Sequence, residues 1–240
     1  MKNYQVAEII GAFIGDGWIE SDIDGLYITG SAIEDKDYYD NFLAPLFSKY
    51  FIKVNPKNFP YWKVYGICTY KKRIIKKAIS LGFEIGRKAH KVMIPDWIMN
   101  SSDTNIKKAV VRGIFDTDGS FWCEKSRSKS SSTWKRTHNY HPELSITSIS
   151  KELLTQIKEI LDQLNIKSKI DIKNKKGIKC DRNISNSYAL RVRRIQDIKN
   201  WFRIIKSNNP RHQTRYSVWL KFGFLKPYTN YHDRKKLLSM

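Results

Sequence analysis

VVRGIFDTDG, residues 110–119, decides the fold, because a weaker copy of this stretch, IIGAFIGDG, occupies residues 9–17. Both runs are apolar with helical spacing, and both end in Asp-Gly. Each run therefore predicts a helix whose last residue is the acid, Asp16 or Asp118. Since only glycine adopts positive φ without a Cβ penalty, the glycine after each acid is predicted to stop its helix in the left-handed conformation.

Small residues recur at every fourth position of both runs, as Gly11 with Gly15 and Gly113 with Thr117. Side chains four positions apart lie on one face of a helix, and small ones allow two helix backbones to approach closely. We therefore expect the two helices to pack side by side and in parallel. That packing would bring the two terminal acids next to each other.

The paired acids occupy an unfavourable position, because the last turn of a helix carries the negative end of its dipole. Two carboxylates placed together at two such ends repel each other, and this raises their pKa values unless a cation lies between them. A shared divalent metal ion resolves the conflict. Hard oxygen ligands favour Mg²⁺ over zinc.

The two runs resemble the LAGLIDADG motif, and the chain resembles a single-chain, two-motif LAGLIDADG homing endonuclease. Glycine stands third, the acid eighth and glycine ninth in both copies, and the spacing of the two acids matches one repeat. Two positions depart from the motif. Ile14 replaces the acid that many members carry at the sixth position, and Arg112 replaces a small residue at the second. Neither departure affects the final acid.

The resemblance implies an α+β fold with two αββαββα halves related by a pseudo-twofold axis. The halves would form a basic β-sheet saddle, with the motif helices packed at the seam. We expect the N-terminal half at residues 1–101 and the C-terminal half at residues 102–240. Between the motifs, residues 100–105 are polar and turn-rich and are predicted to form the linker, where Ser102 or Asp103 would cap the second motif helix.

The resemblance also implies a monomeric, intron-encoded endonuclease that makes double-strand breaks at a long, asymmetric duplex DNA target. Asp16 would serve one strand and Asp118 the other. Mg²⁺ would be the cofactor, with Mn²⁺ able to substitute and Ca²⁺ binding without supporting cleavage. The metal ligands would be the two acids and, at the periphery, the backbone carbonyls of Gly15 and Thr117. Metal ions held in this way can activate a water and stabilise the charge that develops during phosphodiester hydrolysis.

A basic residue in each half commonly polarises the water network in this family. By position, the candidates for this catalytic role are Lys91 and Arg215, with Lys88 and Arg211 as alternatives. Lysine and arginine are abundant in this chain, so a plain phosphate contact is at least as good an interpretation of each.

Composition agrees with a nucleic-acid partner. Lys and Arg total 44 against 23 Asp and Glu, which gives a net charge of +21, and the pI is near 9.8. Such an excess indicates a polyanion, nucleic acid before membrane surface. No apolar stretch reaches the ~20 residues of a membrane helix, and the start lacks a signal peptide, so a soluble, intracellular protein is expected. The three cysteines, Cys68, Cys123 and Cys180, are odd in number and widely spaced, so they indicate neither a disulfide framework nor a Cys-x-x-Cys metal site.

The rest of the sequence predicts the same order of elements in each half: helix, two strands, helix, two strands, helix. In the first half, after the motif helix, we predict strands at 18–21 and 26–31, a helix at 37–50 bent by Pro45, strands at 51–57 and 63–70, and a helix at 71–81. In the second half we predict strands at 120–124 and 144–147, a helix at 150–164, strands at 168–173 and 187–193, and a helix at 195–205.

Alternation along the last two strands indicates which face meets DNA. Apolar residues such as Ile170, Ile172 and Leu190 alternate with basic ones, so the basic set should occupy the open face of the sheet. The segment 125–136 is dense in positive charge and is expected to extend the first hairpin of the second half. The candidate DNA-binding residues are Lys63, Lys125, Arg127, Lys129, Lys135, Arg136, Lys167, Lys169, Lys173, Arg191 and Arg193.

Two alternatives remain open at this point. The first is an intron maturase or other nucleic-acid-binding protein that has kept the scaffold but does no cleavage, with intron RNA as its partner. The second is a binder of single-stranded or structured RNA that stacks bases on exposed aromatic residues such as Tyr61, Trp62 and Trp134.

Overall fold

A computed structural model of the chain describes residues 2–86, 91–127, 136–174, 186–226 and 228–240. For residues 125–127 and 136–140 it describes the backbone alone. Within these ranges, no helix is both long and apolar enough to cross a bilayer.

The two motif helices begin at capped residues and end at the predicted acids. Helix α1 spans Tyr4–Asp16, and its N-cap Asn3 accepts a hydrogen bond from the Val6 backbone at 2.9 Å. The later motif helix spans Thr104–Asp118, and its N-cap Asp103 accepts one from the Asn105 backbone at 2.8 Å. Side-chain acceptors at these positions satisfy backbone donors that have no partner within the helix.

The predicted left-handed glycine stops are wrong. Gly17 has φ −95° and ψ 158°, and Gly119 has φ −74° and ψ 161°, so both are extended. Each helix passes directly into a strand, and glycine is required there for space. A Cβ on Gly17 would lie 2.3 Å from Cδ2 of Phe13, and one on Gly119 would lie 2.1 Å from Cδ2 of Phe115.

The described part of each half contains four strands, and in the first half the helix between the two strand pairs is broken into short pieces. The first-half elements are β1 (Gly17–Ile19), β2 (Leu26–Gly30), α2 (Lys36–Tyr38), a π-helical stretch (Tyr39–Leu43), α3 (Ala44–Tyr50), β3 (Lys57–Phe59), β4 (Val64–Thr69), α4 (Lys72–Ile79) and α5 (Asp96–Met99). The second-half elements are α6 (Thr104–Asp118), β5 (Gly119–Arg127), β6 (Arg136–Ser148), α7 (Lys151–Gln163), β7 (Lys169–Asn174), β8 (Ser187–Val192), α8 (Ile195–Ile204), α9 (Pro210–Phe222) and α10 (Tyr231–Ser239).

The strands form two antiparallel sheets with the same topology. The strand order is β1-β2-β4-β3 in one sheet and β5-β6-β8-β7 in the other. Buried side chains from both halves join in one hydrophobic core. The predicted α+β class with two repeated halves is therefore confirmed, while the division of the chain at residues 101 and 102 stays a prediction.

Two local predictions differ from the structure, and a third, the helix around Pro45, forms with an irregularity. The strand expected at 51–57 forms later, as β3, because Ser48 holds the preceding segment through hydrogen bonds with the Val54 backbone. The helix around Pro45 has a π-helical stretch just before the proline, and such stretches are one recognised cause of helix bends. Ile172, expected in the core, is 53% exposed, because β7 lies at the edge of its sheet.

The last two helices were not predicted, and they attach the end of the chain to the first half. Arg211 at the start of α9 pairs with Asp35 at 3.2 Å. In α10, the buried Arg234 pairs with Glu34, and the Tyr231 hydroxyl donates to Asp37 at 2.8 Å. The C-terminal segment therefore crosses the boundary between the repeated halves.

Candidate active site

The backbones of α1 and α6 are in direct contact at the seam. A Cβ built on Gly11 would lie 2.2 Å from the carbonyl oxygen of Val110, and one on Gly113 would lie 2.2 Å from that of Glu8. Both distances are far below van der Waals contact, so only glycine fits at either position. The small-residue spacing in the two motifs therefore has the packing role that was predicted for it.

This contact brings the ends of the two helices together. A Cβ on Gly15 would lie 2.0 Å from Oγ1 of Thr117 and 3.3 Å from the backbone nitrogen of Asp118. The residues that precede the two acids thus touch across the seam. Asp16 is half-buried and Asp118 is exposed, so both carboxylates border the surface at this junction.

Tyr39 lies beneath the paired acids. Burial raises the pKa of its hydroxyl, and the negative charges of Asp16, Asp35 and Asp118 raise it further. One buried phenol therefore lies within electrostatic reach of both terminal acids. The hydroxyl stays protonated at neutral pH and adds no negative charge to the junction.

The donor set at the junction fits a hard divalent cation. Two carboxylates end two helices, and the carbonyl groups of Gly15 and Thr117 lie just before them. Within the described ranges no cluster of three or more His, Cys, Asp or Glu side chains is placed to hold a metal ion. A metal at this site would therefore be bound by the acid pair, backbone carbonyls and substrate or water oxygens, which suits Mg²⁺ better than zinc.

The carbonyl groups at the end of α6 are held by two residues from the start of α9. Arg211 donates from Nη2 to the Thr117 carbonyl at 2.8 Å and to the Asp116 carbonyl at 3.3 Å. Asn209 donates from Nδ2 to the Asp116 carbonyl at 2.7 Å and also to Asp35 at 2.7 Å. A cation at a helix C-terminus stabilises its dipole. Since a carbonyl oxygen has two lone pairs, the bond from Arg211 is compatible with the predicted metal contact of Thr117.

The two basic residues predicted to be catalytic have different surroundings. Lys91 is exposed in a turn. Arg215 is half-buried one turn beyond Arg211 and lines a cavity of about 190 Å³ together with Arg234. Burial, and then the charge of Arg234, lower the pKa of Arg215 to about 10. Arg211, named as an alternative, is the arginine that contacts the motif helix, whereas Lys88 lies outside the described residues.

The open face of the second sheet borders Asp118. A cavity of about 410 Å³ is lined by Asp118, Ser120, Trp122, Ser145, Thr147, Lys173 and Arg191. Two of the predicted DNA-binding residues, Lys173 and Arg191, thus lie beside the second acid. The geometry permits a polyanion on this face to reach the carboxylate.

Acidic side chains neutralise part of the predicted basic set. Glu143, which is almost fully buried, accepts hydrogen bonds from Nη1 of Arg191 and, at 2.6 Å, from Nε of Arg193. Lys169 pairs with Asp171 at 2.9 Å. The other predicted residues fall into two groups: Lys63 and Lys167 are exposed, whereas the side chains of Lys125, Arg127 and Arg136 and the whole of Lys129 and Lys135 lie outside the described residues.

Three residues of this region, Glu143, Asp35 and Asn209, were not predicted from the sequence. The strand face of Glu143 could have been predicted, because alternation places it on the face of Ser145, away from the core, but its arginine partners come from a distant strand. The dipeptide Asn209-Pro210 is a helix start signal, with an N-cap residue before proline at the first helical position, and it predicts α9. Asp35 lies in a turn, which has no periodic pattern. The sequence therefore could not predict its contacts with Asn209 and Arg211.

Comparison with known proteins agrees with this architecture. Residues 105–196 match the family model of the LAGLIDADG-like domain. No curated protein matches the chain in sequence. Among solved structures, variants of the homing endonuclease I-DmoI align over 84% of this chain and 90% of theirs, with 13% identity and a TM-score of 0.54.

Structures with bound DNA align as well. I-DmoI in complex with DNA and Mn covers 85% of this chain and 97% of its own, with 15% identity and a TM-score of 0.53. The I-LtrWI LAGLIDADG homing endonuclease bound to target DNA covers 92% and 89%, with 14% identity and a TM-score of 0.54. At such low sequence identity, structural similarity supports a conclusion about the fold alone. Residues 105–196 therefore resemble the LAGLIDADG-like domain, and the chain has the fold of the single-chain LAGLIDADG homing endonucleases.

Proposed function

We propose that the chain is a DNA endonuclease that makes metal-dependent double-strand breaks at a long, asymmetric duplex site. The observation that carries this proposal is the contact of Gly15 with Thr117, the residues that directly precede Asp16 and Asp118 at the end of the seam. The cavity beside Asp118, with Lys173 and Arg191 in its lining, supports a phosphate backbone next to the acids. We further propose that the enzyme acts as a monomer, since one chain supplies both acids.

The duplicated architecture suggests that each half of the chain cuts one strand of the DNA. Asp16 and the Gly15 carbonyl would serve one strand, and Asp118 and the Thr117 carbonyl the other, within halves at 1–101 and 102–240. When bound, Mg²⁺ or Mn²⁺ would activate the attacking water and stabilise the leaving oxygen. The complexes of I-DmoI with DNA and Mn and with DNA and Ca support this choice of metal. Lys173 would hold a phosphate by charge, whereas Arg191, paired with Glu143, would offer its remaining N–H donors to the DNA.

The test is incubation with a randomised duplex library and Mg²⁺, followed by sequencing of the newly made ends. We expect D16N and D118N each to abolish double-strand cutting of the selected target while retaining binding. The matched control is D24N, because Asp24 is an exposed acid paired with Lys72, and it should cut normally. Unchanged double-strand cutting by either seam variant would refute the assignment.

The maturase interpretation is distinguished by the same experiment. A protein that binds intron RNA and cleaves no duplex in Mg²⁺ would be a binding protein on this scaffold. Both acids border the surface at one junction, which supports the cleavage proposal, although a maturase can keep the same acids. Preference for single strands over duplex would support the RNA-binding alternative instead.

A further inference from the structure

The register of the two sheets identifies equivalent positions in the two halves. Counting from the glycine that starts each sheet, Trp18 pairs with Tyr27 in the first sheet, and Ser120 pairs with Ser145 in the second. One strand further, Tyr27 pairs with Cys68, and Ser145 pairs with Arg191. These equivalent residues point away from the core, because the alternating positions such as Ile19 and Leu26, and in the second sheet Phe121 and Leu144, are buried.

The open face of the first sheet is aromatic. Trp18 stacks on Tyr27 with ring centroids 4.6 Å apart. Trp62, from the turn between β3 and β4, lies across both rings at 5.2 and 5.6 Å and stacks on Phe59 at 5.8 Å. Tyr70 contacts Tyr27 at 5.9 Å. These rings form one continuous aromatic patch, defined by Trp18, Tyr27, Phe59, Trp62 and Tyr70.

This patch is partly open to solvent and carries positive charge. Trp62 is 45% exposed and Tyr70 is 55% exposed. The ammonium group of Lys57 lies 5.2 Å from the Phe59 ring and 5.7 Å from the Tyr70 ring. Exposed aromatic surface next to a cation complements a partner that has apolar groups close to negative charge. Thymine in the major groove, with its C5 methyl group between phosphate backbones, has this combination.

The equivalent face of the second sheet has the opposite chemistry. Ser120, Ser145, Thr147, Lys173 and Arg191 line its cavity. These groups donate and accept hydrogen bonds and carry charge, which suits the polar edges of bases and the phosphates. The aromatic residue Trp122 accompanies them and is 37% exposed.

We propose that the two sheets read their half-sites by different chemistry, and that the aromatic patch selects a thymine-rich half-site through apolar contact with C5 methyl groups. This inference rests on the proposed binding of duplex DNA. It makes Trp62 a specificity-determining residue for the first half-site. The second half-site is read by hydrogen bonds and charge, and methyl groups contribute little to its recognition.

The test uses a target selected for binding in Ca²⁺, so that it does not depend on cleavage. Thymine is replaced by uracil, which lacks the methyl group, in one half-site at a time. The expected result is a loss of affinity of about fourfold for each contacted methyl in one half-site and no loss in the other. W62A should abolish the difference in affinity between targets with thymine and targets with uracil in the first half-site. W122A, the matched control on the second sheet, should retain it.

Three outcomes would overturn the inference: a selected half-site without thymine enrichment, equal responses of both half-sites to uracil, or discrimination that survives in W62A. A W62A variant that weakens single-strand binding and leaves the methyl effect intact would also overturn it. Cleavage in Mg²⁺ is scored separately with the same duplexes. Cleavage without a methyl effect rejects this inference alone, whereas a methyl effect without cleavage rejects the endonuclease proposal alone.

Discussion

Glu8 of the first motif helix and Arg112 of the second form a bidentate ion pair across the seam. Nε of Arg112 donates to Oε1 at 2.7 Å and Nη2 donates to Oε2 at 2.5 Å. Glu8 is 3% exposed, and Arg112 also donates to the carbonyl of Ile205 at 3.0 Å. The arginine that departs from the motif is therefore the partner of a buried acid in the other half.

Removing one partner of this pair should be costly. We expect E8Q to lower the free energy of unfolding by about 3–5 kcal/mol, because it leaves the half-buried Arg112 guanidinium without the charge of Glu8. Replacing both residues by leucine should recover most of that loss. Urea denaturation measures both values. The exposed pair Asp24–Lys72 provides the control, and D24N should change stability by less than about 0.5 kcal/mol. Equal effects of E8Q and D24N would contradict the structural role of the seam pair.

The contact of Gly15 with Thr117 allows a rescue experiment. G15A should destabilise the chain by about 1–3 kcal/mol, since its methyl group would overlap Oγ1 of Thr117. T117A removes that oxygen, so the double variant should regain part of the stability, and the Cβ of residue 117, 2.9 Å from the added methyl group, should limit the recovery. G11A should lose stability without rescue by any side-chain change, because its neighbour is the backbone carbonyl of Val110. Melting temperatures of these variants provide the measurement. If T117A fails to rescue G15A, the Thr117 side chain does not set the cost of the added methyl group.

The sequence predicted the parts of this seam that depend on local patterns. Helical spacing located both motif helices and their terminal acids, because periodicity shows which face of a helix is buried. It could not show what each face contacts. Glu8 and Arg112 are 104 residues apart, and Arg211 and Asp35 are 176 residues apart. Such pairs depend on how the halves assemble, so the motif alone marks Arg112 as a departure and not as a partner of Glu8.

The glycines after the acids were predicted wrongly for a related reason. Glycine at the end of a helix commonly indicates the left-handed conformation, and the sequence contains no sign that the chain continues directly into a strand. The requirement for space comes from phenylalanines one turn earlier. The choice between Arg211 and Arg215 also needed coordinates. The two residues are one turn apart on α9, but Arg211 contacts α6 whereas Arg215 lines a neighbouring cavity.

Asp116 makes the stability of the chain depend on pH. Burial raises the pKa of its carboxyl from the ordinary value of 3.8 to about 7, although the Ser207 hydroxyl and the Asn208 backbone N–H donate to it. The charge of Glu8 raises the pKa further and that of Arg112 lowers it. An acid with a higher pKa in the folded chain binds its proton more tightly when folded, so stability falls as pH rises from about 4 to about 7.

The comparison of the wild-type chain with D116N tests this dependence, because asparagine has the same shape and does not titrate. We expect the stability of the wild-type chain relative to D116N to decrease by up to about 4 kcal/mol between pH 4 and pH 7. The difference should level off about one pH unit above the folded-state pKa. Urea denaturation at half-unit pH steps provides the measurement. A difference that stays constant from pH 4 to pH 7 would show that Asp116 keeps an ordinary pKa.

Arg211 should affect one strand of the substrate more than the other. It contacts the Thr117 carbonyl at 2.8 Å, next to Asp118, so R211M should slow the cut assigned to Asp118 by about 10²- to 10³-fold, as expected when a positioned cationic donor is lost. Nicked circular plasmid should accumulate, and sequencing should place the remaining nick on the strand that D118N still cuts. R215M removes the same charge one turn away and should slow cutting less than about tenfold. A larger effect of R215M would assign the catalytic role to Arg215 instead, and equal slowing of both strands by R211M would contradict the strand assignment of Arg211.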